Sequence, residues 1–378
     1  MNNRAINSLK GLACLLVVLN HFHGIGILGT ITYVISHVGV PVFFLVSGYF
    51  MEGNSSKLIG SRLSRKAYHI YKLIFLHILL YLYNYFFEII YIYKNTTSKA
   101  DVIYHLRTIF SLDNLKTSVI WSTTIFGSAQ WFLIALLQAY IIFWVFYKIR
   151  IFGLIQQFSL HIAMVLLAIH IPVRVLLIKC VGGGYSLLGM AIERTASVRN
   201  VWFDALPFML IGMYISKNKS KLNFKNKTLF SLSIIGLVES CVEYYITNYV
   251  VYPYHIDCVL YIGTIISVVS IFILCVKNEH VYINHIIEHI GQQLSMIIYF
   301  IHPIVGSYIN LYMKNKTVYG LALYKNIQPI LIIVVTIIIA HCINLYIVDT
   351  KNKQTSGFNY EKATFVLSSF ILLFVLLP

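Results

Sequence analysis

Stretches of about 20 largely apolar residues recur from one end of this chain to the other, joined by short polar connections. That length is what an α-helix needs to cross a bilayer, and in lipid a helix satisfies its own backbone hydrogen bonds. Eleven segments qualify as candidates: 10–29, 32–51, 70–92, 129–147, 152–172, 201–216, 229–248, 257–276, 292–311, 328–348 and 363–378. The sixth and the last are short for spans. The chain is therefore expected to be an all-α polytopic membrane protein, about 10–11 transmembrane helices in one bundle and a single domain over 1–378. The segment 95–125, mixed in polarity, is expected to lie along the membrane interface.

Charge agrees with this reading. Only 11% of residues are charged, against about 25% in soluble domains. The net charge of +16 comes from short basic clusters between apolar runs. Such clusters orient helices and meet anionic headgroups, so the expected partner is the lipid bilayer and not nucleic acid. With the N-terminus in the cytoplasm, 18 of the 29 basic residues fall on the cytoplasmic side, the run Lys217–Lys227 foremost. The first apolar run lacks a small-residue cleavage site, so the first helix is expected to act as its own signal anchor. The six cysteines are scattered without metal spacing, and neither a disulfide nor a metal site is expected. No hydrophilic block within 1–378 is long enough for a second domain, and a separate hydrophilic domain is not expected.

Chemistry must then come from the helices. Lys10 and His21 are eleven residues apart, which returns to within ~20° of the same helix face and spans ~16 Å of axis. A cation near one membrane surface and an imidazole near mid-bilayer on one stripe suit a long phosphorylated donor. Read alone, His21 fits either a hydrogen-bonded packing residue or a base that takes a hydroxyl proton near neutral pH. Lys10 read alone is a snorkelling lysine. Pro41 to Tyr49 joins a helix breaker, the pair Phe43 and Phe44, and the run Ser47-Gly48-Tyr49; a kinked packing helix is the plain account of it. Arg62 and Arg65, in the loop after the second span, are near enough on a helical turn to clamp phosphate oxygens. Trp131 opens the fourth span, His302 precedes Pro303 within the ninth, and Glu239 and Glu243 lie one turn apart in the seventh. The two glutamates can share a proton or pair with Arg174.

Taken in order, these segments resemble the acyltransferase-3 family of polytopic membrane acyltransferases. Ser8-Leu-Lys-Gly-Leu-Ala13 continuing to His21 is similar to its opening basic-residue-to-histidine motif. Pro41-Val-Phe-Phe-Leu-Val-Ser-Gly-Tyr49 is similar to its Phe-Phe-x-x-Ser-Gly-Tyr motif, and Arg62-Leu-Ser-Arg65 to its Arg-x-x-Arg. Trp131-Phe-Leu133, Ala205-Leu-Pro-Phe-Met-Leu-Ile-Gly212 and Ser295-Met-Ile-Ile-Tyr-Phe-Ile-His-Pro303 resemble later blocks.

The resemblance implies an inner-membrane O-acyltransferase. It would move an acyl group, usually acetyl from acetyl-CoA as co-substrate with no bound cofactor, onto a hydroxyl of a cell-envelope sugar or lipid-linked glycan. By carry-over His21 is the essential histidine, Lys10, Arg62 and Arg65 are donor-side cations, and Phe43 to Tyr49 shape the cavity. Trp131 and His302 join the substrate-binding set. Two positions depart from the family: Lys10 stands where arginine is commoner, and Asn7 where many members have aspartate. A transporter or flippase of a lipid-linked saccharide is the rival from another class, though no repeated halves with interrupted helices are evident. A catalytically dead, ligand-sensing relative is a second rival, which intact Lys10, His21, Arg62 and Arg65 argue against.

Overall fold

The structure is a computed structural model, and it describes residues 3–51, 56–95, 122, 130–182, 199–251, 260–314 and 320–353. The expected last span 363–378, nearly all of the 95–125 stretch, Cys258 and the side chains of Arg174 and Cys180 lie outside the described residues. Among the described residues every regular element is a helix. Five stretches are long and apolar enough to cross a membrane: Gly26–Tyr49, Trp131–Lys148, Asn226–Tyr249, His285–Met313 and Ala322–Val348. This is an integral membrane architecture.

Helix α1 (Arg4–His21) starts where the Asn3 side chain accepts the Ile6 N–H at 2.8 Å, a standard N-cap. It stops at His21, and Phe22 to Ile25 are not helical. The apolar run expected as 10–29 is therefore two elements, because the chain turns at Gly24–Gly26 and Gly26 takes a φ of +70° that favours glycine. His21, expected mid-span, stands at the C-terminal end of its helix. The next expected span is also two helices, α2 (Gly26–Ser36) and α3 (Gly39–Tyr49), stacked through a turn at His37–Val38. Pro41 sits in the first turn of α3, where a missing N–H costs nothing.

Helix α4 (Ser56–Asn95) runs 40 residues. Arg62 and Arg65, expected in a loop, are thus on a helix that begins well before the apolar span. Helix α5 (Trp131–Lys148) packs along α4. The run expected as 152–172 is broken into α6 (Phe152–Gln157) and α7 (Ser159–Gly182). A π-turn at Val201–Ala205 leads into α8 (Leu206–Lys217). Helix α9 (Asn226–Tyr245) continues as a π-turn to Val251 and pairs with α10 (Ile262–Lys277). The short α11 (His285–His289) passes through a π-turn at Ile290–Leu294 into α12 (Ser295–Lys314), and α13 (Ala322–Lys353) packs against α12.

Helix α1 is the hub, touching α2, α3, α10, α11, α12 and α13. Small residues let the backbones close up, as in membrane helix packing generally. A Cβ at Gly11 would strike the Ile287 carbonyl, and one at Gly291 would strike that of Asn7, so α1 meets the α11–α12 junction backbone to backbone. Gly48 and Gly212 do the same reciprocally for α3 and α8, against Met209 and Leu45. Polar pairs fasten other crossings: Ser240 lies 3.1 Å from Thr264, and Glu243 accepts the Ile262 N–H at 2.7 Å. Glu243 thereby caps the start of α10.

One end of α1 is clamped by charge. Arg4 makes a bidentate contact with Glu288 at 2.9–3.1 Å and lies 3.6 Å over the Tyr282 ring. At the surface loop, Lys219 pairs with Glu279, and that hydrogen bond raises the lysine above its ordinary pKa.

Candidate active site

A cavity of about 280 Å³ lies among α1, α3, α4, α5 and α12. Each helix contributes a stripe dictated by its period. On α1 the stripe is Lys10, Cys14 and Val17, and His21 is the next residue along it. On α12 it is Ser295, Ile298 or Tyr299, and His302. Helix α3 adds Phe43 and Ser47, α4 adds Lys66, His69 and Ile70, and α5 adds Phe132, Leu133 and Tyr140.

The walls are apolar apart from two polar regions. At one, toward the N-terminal end of α1, Lys10 lines the cavity; Lys66 of α4 is also in the lining, and no carboxylate is among the lining residues. Lys66 sits 5.6 Å from the centre of the Tyr140 ring, and the Tyr140 hydroxyl is hydrogen-bonded to Ser47. At the other, His302 lines the cavity and packs against His21, ring centres 5.1 Å apart and planes tilted by 45°. The Lys10–His21 rise of ~16 Å along α1 sets the separation of the two regions.

The state of His302 follows from its neighbour. Pro303 has no N–H, so the Tyr299 carbonyl one turn earlier loses its helical donor. His302 turns its Nδ1 to that region, 3.0 Å from the Ile298 carbonyl and also bonded to the Tyr299 carbonyl. A carbonyl only accepts, so Nδ1 donates and Nε2 carries the lone pair. That Nε2 is fully buried, with no hydrogen-bond partner among the described residues.

The other sequence-derived candidates distribute around this cavity. Phe43 lines it; Phe44 lies behind, packed on Phe132 at 4.9 Å and Trp131 at 6.3 Å. Trp131 is thus a wall residue that backs the lining. Gly48 serves the α3–α8 crossing. Tyr49 turns from the cavity to Phe272 at 5.6 Å, within electrostatic reach of the Lys219–Glu279 pair. Arg62 and Arg65 do not line the cavity: Arg62 is half-buried one turn before Lys66, and Arg65 is exposed with Nε donating to the Ser61 carbonyl at 3.3 Å. Arg62 is within electrostatic reach of the lining residue Lys66.

Sequence reasoning passed over Lys66, Tyr140, Tyr299 and His77. Lys66 was legible as the residue one turn beyond Arg62. The aromatic groups carry no local signal. A polar cluster at the C-terminal end of α1 was also missed: buried Asp204 accepts the Asn200 N–H at 3.2 Å, and Arg199 lies within electrostatic reach of Asp204, His37 and His21.

No curated protein and no solved structure matches the chain. The family model described as an acyltransferase domain, acyltransferase-3, matches residues 3–349. With the cationic mouth, the buried imidazole pair and the helical membrane architecture already in place, the chain belongs to the acyltransferase-3 family of membrane acyltransferases.

Proposed function

We propose that the protein moves an acetyl group from acetyl-CoA to a hydroxyl of a cell-envelope sugar or lipid-linked glycan, in the inner or plasma membrane with its N-terminus in the cytoplasm. The observation that carries the reading is the cavity's polarity: two lysines and no carboxylate in its lining, a histidine pair at the end of the Lys10 stripe, and otherwise mainly apolar walls. Its volume of about 280 Å³ is at the small end of ligand pockets. That fits the pantetheine arm and leaves the nucleotide outside, where Arg62 and Arg65 stand. Lys10 and Lys66 take the phosphates next to the arm as point charges, since lysine lacks the arginine fork.

The arm delivers the thioester to His302 and His21. His21 takes the proton of the acceptor hydroxyl as the oxygen attacks the carbonyl carbon, or receives the acetyl group itself and passes it on. In either route the C–S bond breaks, an ester C–O bond forms, and the hydroxyl proton ends on the thiol. The acceptor approaches from the end of α1 occupied by Arg199, Asp204 and His37. Purified protein in nanodiscs with radiolabelled acetyl-CoA tests the assignment. CoA release and label transfer that vanish in His21→Ala are expected; turnover retained in that variant, or none in folded wild type, overturns it.

A further inference from the structure

The eleven-residue spacing from Lys10 to His21 has a counterpart on α4, where Lys66 and His77 are also eleven apart. Eleven residues return to the same helix face, so α4 presents its lysine at the cavity mouth and its histidine beyond the deep end. Leu73 and Leu80, on that face, are buried beside it. His77 is 0% exposed, and among the described residues neither ring nitrogen has a hydrogen-bond partner. Its ring stacks on Tyr81 at 4.4 Å, and the Tyr81 hydroxyl is likewise buried without a partner. From α12, Phe300 packs at 5.4 Å and Tyr299 at 6.3 Å from the His77 ring, and Tyr299 is itself 6.3 Å from His302.

Four buried polar atoms are therefore gathered around Tyr299: both nitrogens of His77, the Tyr81 hydroxyl and Nε2 of His302. Buried polar groups are normally satisfied, by protein or by ordered water. One such atom is an irregularity; four on two helices form a site. Its walls are aromatic rings and its polar atoms include donors and acceptors without fixed charge, which suits water rather than an ion.

We propose that His77, Tyr81, Tyr299 and His302 enclose a water-bridged chamber behind the cavity, and that His77 shares through it the proton that acyl transfer moves. This rests on the acyltransferase reading above. The proton released at His21 passes to Nε2 of His302, whose Nδ1 is committed to the backbone, and across water to His77. It returns by the same route to the sulfur of the departing thiol. The acceptor O–H and donor C–S bonds break, the ester C–O and thiol S–H bonds form, and His77 ends as it began.

The test uses His77→Phe and His77→Gln in the full-length protein in nanodiscs, with acetyl-CoA turnover measured across pH alongside thermal unfolding. Phenylalanine replaces the imidazole with an apolar ring that packs in the same aromatic surroundings, so the fold is expected to stay intact. Glutamine keeps hydrogen bonding to water but takes up no proton. The expected result for both is a fall in kcat of about a hundred-fold, the low end of acid–base assistance, with KM for acetyl-CoA unchanged and an altered pH profile. Among the described residues the titratable groups facing His77 are Tyr81 on its own helix and Tyr299 and His302 on α12, so Tyr81→Phe is run beside it. Full kcat in either folded His77 variant overturns the proposal; if the phenylalanine form fails to fold, the glutamine form decides. Wild-type turnover that needs His21 but ignores His77 sinks only this inference, whereas absent wild-type turnover sinks the acyltransferase reading itself.

Discussion

Replacing Lys66 by methionine keeps the unbranched stem that lines the cavity and deletes one of its two ammonium groups. At ~4 Å from a phosphate oxygen and an effective dielectric near 20, the gross attraction is about 4 kcal/mol. Lys66 is only half-buried at the mouth, so water and salt take part of that. A net of roughly 1.5–3 kcal/mol remains, as for a hydrogen bond to a charged group. At ~1.4 kcal/mol per decade, kcat/KM for acetyl-CoA should fall about ten- to a hundred-fold. The assay compares acetyl-CoA with acetyl-pantetheine, which carries the same thioester and arm without phosphates. Wild type should prefer acetyl-CoA, and the preference should weaken at high salt; in Lys66→Met most of it should disappear. Equal losses on both donors would mean that Lys66 shapes the wall and does not read phosphate, and the assignment of the cationic mouth would be wrong.

Three further outcomes follow from the packing. His302→Phe keeps the ring volume and its place against His21 but removes the Nε2 lone pair; kcat should drop by about a hundred-fold or more with the fold intact by thermal shift, and retained activity would exclude His302 from proton handling. Gly48→Leu forces a side chain into the Met209 backbone and should cost about 3 kcal/mol, the upper range of overpacking, read as a lowered unfolding temperature; a neutral result would mean that α3 and α8 are not in close contact. The Arg4–Glu288 pair is part-exposed on the arginine side and 10% exposed on the glutamate side, so a double-mutant cycle with alanines should give a small favourable coupling, and zero coupling would show the clamp to be incidental.

The sequence by itself determined what one helix at a time can determine. Apolar length made the chain a helical membrane protein, because lipid leaves the backbone no other way to satisfy its hydrogen bonds. Helical periodicity put Lys10 and His21 on one stripe, and Pro303 marked a freed carbonyl beside His302. These are properties of residues within about three turns of each other. Helix ends were less legible: Arg62 and Arg65 were assigned to a loop because their polarity masks a helix that starts at Ser56, and the run through Gly24 was apolar enough to hide its break.

The tertiary structure decided which stripes face one another. His21 and His302 are 281 residues apart in the numbering and 5.1 Å apart in space, and no local pattern encodes that contact. Likewise, Lys66 and Arg65 are adjacent on α4, but only the rotation of α4 against α5 puts Lys66 into the cavity wall and leaves Arg65 exposed. Gly48 belongs to a motif that the resemblance associates with the cavity, yet it acts by letting α3 approach α8. The physical reason is common to all three. A helix's own hydrogen bonds and period are local, whereas its rotation about its axis is set by the small residues and rings of the neighbours it meets, and those come from anywhere in the chain.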